Sequence, residues 1–180
     1  MTDQHPSRRT FLVGAGLAAT TTPLMTTSLA AQRAADDTFP YEVQRTEEEW
    51  RAMLSEDEYS IMREGGTEPR FTSDLWNEER AGTYHCKGCD LKIYDSEWKV
   101  ILPIGWVFWF HSEPNSVLTG IDIIPADMSE ASEDMPAEDQ VALEVHCRRC
   151  GSHLGHIFSI EEEVTHCING SALNFTPSAA

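Results

Sequence analysis

Basic residues are scarce in this chain: 13 Lys and Arg stand against 30 Asp and Glu, a formal charge of −17 over 180 residues. Such a surface repels phosphate backbones and anionic headgroups, which argues against nucleic acid and anionic membranes as partners and for a solubilising exterior. Long apolar runs are missing too. No segment reaches the ~20 consecutive apolar residues of a membrane span, so no stable span is expected. No long helical pattern follows Gly65, and no repeat beyond a pair of short cysteine motifs is visible. Cysteine is sparse and odd in number at five, so the cysteines cannot all be paired with one another. The length and a hydrophobic content of 41% suit one domain with one core, and a monomer is expected.

The N-terminus reads Ser7-Arg8-Arg9-Thr10-Phe11-Leu12, followed by a modestly apolar Ala/Gly/Thr-rich stretch and the small-residue site Ser28-Leu29-Ala30. This is the form of a twin-arginine export signal. Residues 1–30 are therefore read as a removable signal, and residues 31–45, which lack periodicity, as an extended tether. The folded domain is expected over 46–180, in a periplasmic or otherwise extracytoplasmic location.

Two capping boxes then stand close together. Thr46 with Glu49 precedes Trp50, Met53 and Leu54, and Ser55 with Glu58 precedes Tyr59 and Met62, which predicts two short helices with these apolar residues in the core. Gly65-Gly66 ends the second. From Phe71 onward strand and turn signals dominate. Gly82 to Cys86 and Leu91 to Tyr94 form a hairpin around a Cys-x-x-Cys pair, and Trp98 to Phe110 is a buried strand or pocket wall. Ser112 to Asp139 carries proline, many carboxylates and no Lys or Arg, the pattern of a solvated loop. Val141 to Val145, Ile157-Phe158, Ile168 and Leu173 to Phe175 supply further strands. The class is mainly β with short N-terminal helices.

The cysteines carry the chemistry. Cys86-Lys87-Gly88-Cys89 and Cys147-Arg148-Arg149-Cys150 are two knuckles, and Cys167 is left over. Four thiolates in two such pairs suit a closed zinc shell, ribbon-like and structural, pinning distant parts of the chain. In an exported protein the alternative is two disulfides with a free thiol. Cys167 by itself is either a small buried hydrophobe or a nucleophile. His153 and His156, three apart, suit proton transfer near neutral pH or the packing of a hydrogen-bonded core.

Several stretches together resemble the B-type (R-specific) peptide methionine sulfoxide reductases. They are Arg63 to Pro69, Gly82 to Cys89, Gly105-Trp106, Glu144 to Cys150, His153 to Phe158 and Cys167 to Phe175, in the family's order from about Trp50 to Phe175. The resemblance implies two packed antiparallel sheets and a reaction on oxidised protein methionines. In that reaction Cys167 attacks the sulfoxide sulfur and becomes a sulfenic acid. His153 and His156 would position and protonate the oxygen, Asn169 would match the family's amide, and Trp106 would pack on the substrate's S-methyl group. It also implies zinc on Cys86, Cys89, Cys147 and Cys150. The chain departs from the family in four places, one of them the segment Ser159 to Glu163, which is shorter than usual and carries three carboxylates. Thr165 stands where the family has an arginine, leaving His166 and His156 as the nearest candidate cations in sequence. Ile104 stands where many members carry a resolving cysteine, so an external thiol donor such as a thioredoxin-like protein is required. Trp106 to Phe110 replaces the family's Trp-Pro-Ser-Phe. The leading reading is an exported zinc-containing methionine-R-sulfoxide reductase. Its competitors are a zinc-ribbon-like binding protein without reductase chemistry and a thiol–disulfide protein using its Cys-x-x-Cys pairs.

Overall fold

The computed structural model describes residues 39–123, 141–160 and 162–179. The signal and cleavage-site readings, the tether before Phe39 and the acidic run from 124 to 139 lie outside the described residues. Residues 39–45 form no helix or strand, and they are tied down by the Val43 N–H donating to the Arg149 carbonyl at 2.9 Å.

Both capping boxes form. The Thr46 and Ser55 hydroxyls accept from the Glu49 and Glu58 N–H groups, and the two carboxylates accept the Thr46 and Ser55 N–H groups in return. They start helices α1 (Glu47–Met53) and α2 (Glu56–Glu64). Gly65, at φ +75°, ends α2 in the left-handed conformation that glycine tolerates. Trp50, Leu54, Tyr59, Ile61 and Met62 are buried, whereas Met53 is 43% exposed. The core expectation fails at Met53 because a two-turn helix presents one narrow stripe, and Trp50 and Leu54 occupy it.

Among the described residues nine strands follow: β1 (Gly82–Cys86), β2 (Lys92–Asp95), β3 (Lys99–Val100), β4 (Val107–Trp109), β5 (Val117–Ile123), β6 (Val141–Cys147), β7 (His153–Ile160), β8 (Glu163–Ile168) and β9 (Leu173–Pro177). They make two antiparallel sheets, a small one ordered β2-β1-β9 and a large one ordered β3-β4-β8-β7-β6-β5. The class is mainly β with two short helices, as the patterning predicts. One correction concerns the stretch read as a loop from Ser112 to Asp139. Val117–Ile123 is a strand paired along its whole length with β6, from Val117 opposite Cys147 to Ile123 opposite Val141. The β-branched Val117, Thr119 and Ile121, at alternate positions, carry that preference, and the carboxylates downstream obscure it.

The sheets meet through aromatic rings. Trp109 of β4 stacks on Tyr94 of β2 at 4.2 Å and 12°, and meets Tyr84 of β1 edge-on at 4.9 Å. All three rings are fully buried, and the Trp109 indole N–H donates to the Asp95 carbonyl at 3.1 Å. Trp109→Ala should therefore remove about 3–5 kcal/mol of stability. A lower urea midpoint with an unchanged m-value is the expected reading.

Candidate active site and metal centre

The two knuckles are built alike. In the first, the Cys86 N–H donates to the Leu91 carbonyl and the Asp90 N–H to the Cys86 carbonyl; in the second, the Cys147 N–H donates to the Ser152 carbonyl and the Gly151 N–H to the Cys147 carbonyl. Each turn closes through a left-handed residue, Asp90 at φ +60° and Gly151 at φ +69°. One hangs between β1 and β2 of the small sheet, the other between β6 and β7 of the large one. All five cysteines are free thiols. The short approaches cross between the knuckles, 3.7 Å from Cys86 Sγ to Cys150 Sγ and 3.5 Å from Cys89 Sγ to Cys147 Sγ. All four sulfurs lie within 4.8 Å of one another. A tetrahedral shell with metal–sulfur bonds of ~2.3 Å separates its sulfurs by about 3.8 Å, so the set can hold a metal ion and zinc fits it. Arginines steady the turns: Arg45, Arg63 and Arg149 donate to the carbonyls of Gly88, Cys150 and Cys89. Arg45 and Arg63 also lie over the Trp50 ring, at 4.7 and 4.6 Å.

Cys167 lies in β8, opposite Phe108 of β4 on one side and His156 of β7 on the other. His156 in turn lies opposite Glu144 of β6. Side chains directly opposite one another share a sheet face, so Phe108, Cys167, His156 and Glu144 form one row across four strands. Gly155 lets β7 and β8 approach at this point. A Cβ there would stand 2.1 Å from the Cys167 carbonyl oxygen.

Both histidines are buried and paired with carboxylates. His153 Nδ1–H donates to Glu144 Oε1 at 2.6 Å, and His156 Nε2–H donates to Asp122 Oδ2 at 2.9 Å. An ionised carboxylate only accepts, so each pair fixes which ring nitrogen carries the proton and leaves the other as the acceptor nitrogen of the neutral ring. The two rings stand 5.1 Å apart. Asn169 is also buried: its side-chain oxygen accepts the Glu68 N–H at 2.9 Å, and its amide nitrogen donates to the Leu154 carbonyl at 3.1 Å. The half-buried indole of Trp106 donates to the Glu68 carbonyl at 2.9 Å, beneath the Arg70 guanidinium at 4.7 Å.

Burial first, and then the negative charge of Glu68, push the Cys167 thiol up to about 12, with Arg70 pulling in the opposite direction. Arg70 is thus the cation acting on this thiol. His166 is not: its Nδ1 shares a 2.9 Å hydrogen bond with the Tyr94 hydroxyl on the other face of the sheet, and burial, followed by His111, holds its ring toward the neutral form. Thr165 is buried, and its hydroxyl makes no hydrogen bond among the described residues.

The structure gathers Cys167, His153 and His156 on one sheet, sets Trp106 and Asn169 on the segment 68–70 beside them, and holds the four knuckle cysteines apart as a second centre. Sequence reasoning missed Glu68, Arg70, Asp122 and Glu144. Glu68 and Glu144 sit inside motif stretches and were accessible by position. Asp122 had no signal, being one carboxylate in a stretch full of them.

Fold and site together define a two-sheet thiol protein with a separate four-cysteine cluster that could hold a metal ion. Residues 54–177 match the SelR domain. The chain is 34% identical over 146 residues to peptide methionine sulfoxide reductase B3 of Arabidopsis thaliana, covering 78% of this chain and 74% of that one. It is 35% identical over 144 residues to peptide methionine sulfoxide reductase MsrB of Methylibium petroleiphilum, covering 78% and 96% of the two chains. With the MsrB of Pseudomonas putida the identity is 36% over 138 residues, covering 75% and 95%. The chain belongs to the SelR-domain family, that of the B-type methionine sulfoxide reductases.

Because the raised thiol is protonated at neutral pH, its alkylation by iodoacetamide should be slow and climb about tenfold per pH unit through the alkaline range. Arg70→Met should slow it further at every pH by removing the opposing charge. A plateau near neutrality in the wild type would contradict this electrostatic picture.

Proposed function

We propose that this protein reduces methionine-R-sulfoxide in oxidised proteins to methionine, with Cys167 as nucleophile. The observation that carries the reading is the row Phe108–Cys167–His156–Glu144, which sets one cysteine beside a carboxylate-held histidine on a buried sheet face. The Cys167 sulfur attacks the sulfoxide sulfur, the S–O bond of the substrate breaks, and the oxygen ends on Cys167 as a sulfenic acid while methionine leaves. The thiol's own proton passes through the unprotonated ring nitrogen of a histidine to the oxygen and ends on the sulfenic acid, so the step needs no other proton source. Asp122 and Glu144 keep His156 and His153 oriented for that transfer. The Trp106 ring offers an aromatic surface to the S-methyl group, a favourable contact for sulfur. Asn169, bonded on both sides of its amide, holds the chain after Cys167 in place.

Zinc on Cys86, Cys89, Cys147 and Cys150 is structural in this reading. Those four thiols are then committed and Ile104 supplies none, so oxidised Cys167 needs an external thiol donor, a thioredoxin-like protein being suited. The Ser7 to Ala30 signal pattern supports an exported, extracytoplasmic location. A zinc-ribbon binding protein without reductase chemistry is not favoured, because the nucleophile and both held histidines are intact.

Two measurements test this. Metal analysis should find about one zinc per chain, and Cys86→Ser should lose both metal and fold. Two disulfides and no metal would be the contrary result. Turnover with excess dithiol should consume the R epimer of peptidyl methionine sulfoxide and leave the S epimer. Without thiol, one methionine per chain should form with a dimedone-trappable Cys167. Activity surviving in Cys167→Ser, or equal loss of both epimers, would refute the assignment.

A further inference from the structure

Glu68 is an acidic residue with 3% exposure, and no acid–base step uses it. Every polar group it owns is bonded to a different part of the site. Its carboxylate accepts two backbone N–H groups, Gly170 to Oε1 at 2.8 Å and Ser171 to Oε2 at 2.8 Å, in the turn that follows the nucleophile. Its own N–H donates to Asn169 Oδ1 at 2.9 Å, and its carbonyl accepts the Trp106 indole N–H at 2.9 Å. These partners are far away in sequence, Gly170 by 102 positions and Trp106 by 38. The neighbouring segment fits tightly. A Cβ on Gly170 would stand 2.1 Å from Ser73 Oγ, and one on Gly105 2.7 Å from the Phe71 nitrogen.

We propose that Glu68 is the positioning residue of this site: one side chain and one peptide unit lock Trp106, Asn169 and the Gly170-Ser171 turn into a fixed arrangement around Cys167. The inference rests on the reductase reading above and deepens it. A buried carboxylate is costly unless its oxygens are satisfied, and two backbone N–H groups satisfy it as an anion. Replacing it therefore leaves one backbone donor in the turn without its acceptor in Glu68→Gln and both in Glu68→Ala, and releases the turn. The reacting sulfur and the methyl-binding ring then lose their common anchor, and a displacement of about 1 Å between reacting groups costs on the order of 100-fold in rate. The same carboxylate places a negative charge near the nucleophile. Among the described residues, other charged or titratable groups around Cys167 include Arg70 on the same segment, His156 opposite it in β7 with Glu144, Asp122 and His153 beside that ring, Tyr94 of β2, and His166 next to it in β8.

The test uses the zinc-loaded full chain with Glu68→Gln, close in shape, and Glu68→Ala. Zinc content and far-UV circular dichroism establish that each is folded, and Gln serves if Ala is not. Turnover of the R-sulfoxide peptide with excess dithiol is expected to fall about 100-fold in kcat for Ala and at least about tenfold for Gln, with KM changing less. The pH profile of Cys167 alkylation is expected to move to lower pH in Glu68→Gln, a response that a residue acting only through fold stability does not produce. A folded Gln variant with wild-type kcat overturns the proposal, and so does one whose alkylation profile is unmoved. If the wild type itself reduces neither epimer, the reductase reading fails, while the alkylation profile still decides whether Glu68 acts on Cys167.

Discussion

The closure of two cysteine knuckles onto each other is the constraint on which the rest of the architecture depends. Cys86 and Cys89 belong to the small sheet, Cys147 and Cys150 to the large one, and Cys89 and Cys147 are 58 positions apart. Bringing such distant points together carries a length-dependent entropic cost of about 4 kcal/mol. A bound metal ion contributes about 10 kcal/mol or more in small structural sites, so it offsets that cost with margin. The arginine donors on the knuckle carbonyls, and the Trp50 ring between two of them, extend the same clamp to the first helix.

With the sheets held, the site is built by register. Antiparallel pairing puts Phe108, Cys167, His156 and Glu144 opposite one another on four strands, and Gly155 lets the backbones approach at Cys167. The segment 68–70 then delivers Glu68 and Arg70 from outside the sheet. Their opposite charges act on the same thiol in opposite directions. A protonated resting cysteine follows, and it is less exposed to unspecific oxidation than a thiolate. The charge that opposes Glu68 at this thiol is Arg70, on the same segment as Glu68 and far from Cys167 in the chain.

Much of this is legible in the residues themselves. Paired capping boxes specify two helices because their hydrogen bonds are local, within three residues of each other. Cys-x-x-Cys spacing specifies a knuckle because both thiols leave one tight turn. Glycine and alternating apolar residues mark most of the strands, and the odd cysteine stands out by counting. The run Val117–Ile123 escapes such a reading because the carboxylates downstream mask its strand-forming residues, and its pairing with β6 reveals it.

By itself, then, the sequence determined what depends on near neighbours: the helices and their caps, the knuckle turns, the class of fold, and the identity of Cys167, His153 and His156 as candidates through the motifs that surround them. Tertiary structure alone decided the partners of those groups. Which carboxylate holds which histidine, which cation faces the thiol, and why Asn169 has its amide bonded on both sides all depend on contacts between residues far apart in the chain. Glu68 reaches across 102 positions to Gly170, and Asp122 across 34 to His156. Hydrogen bonds and charges act over a few ångströms of space, whereas sequence patterns report only separation along the chain, so these pairings exist only once the two sheets have closed.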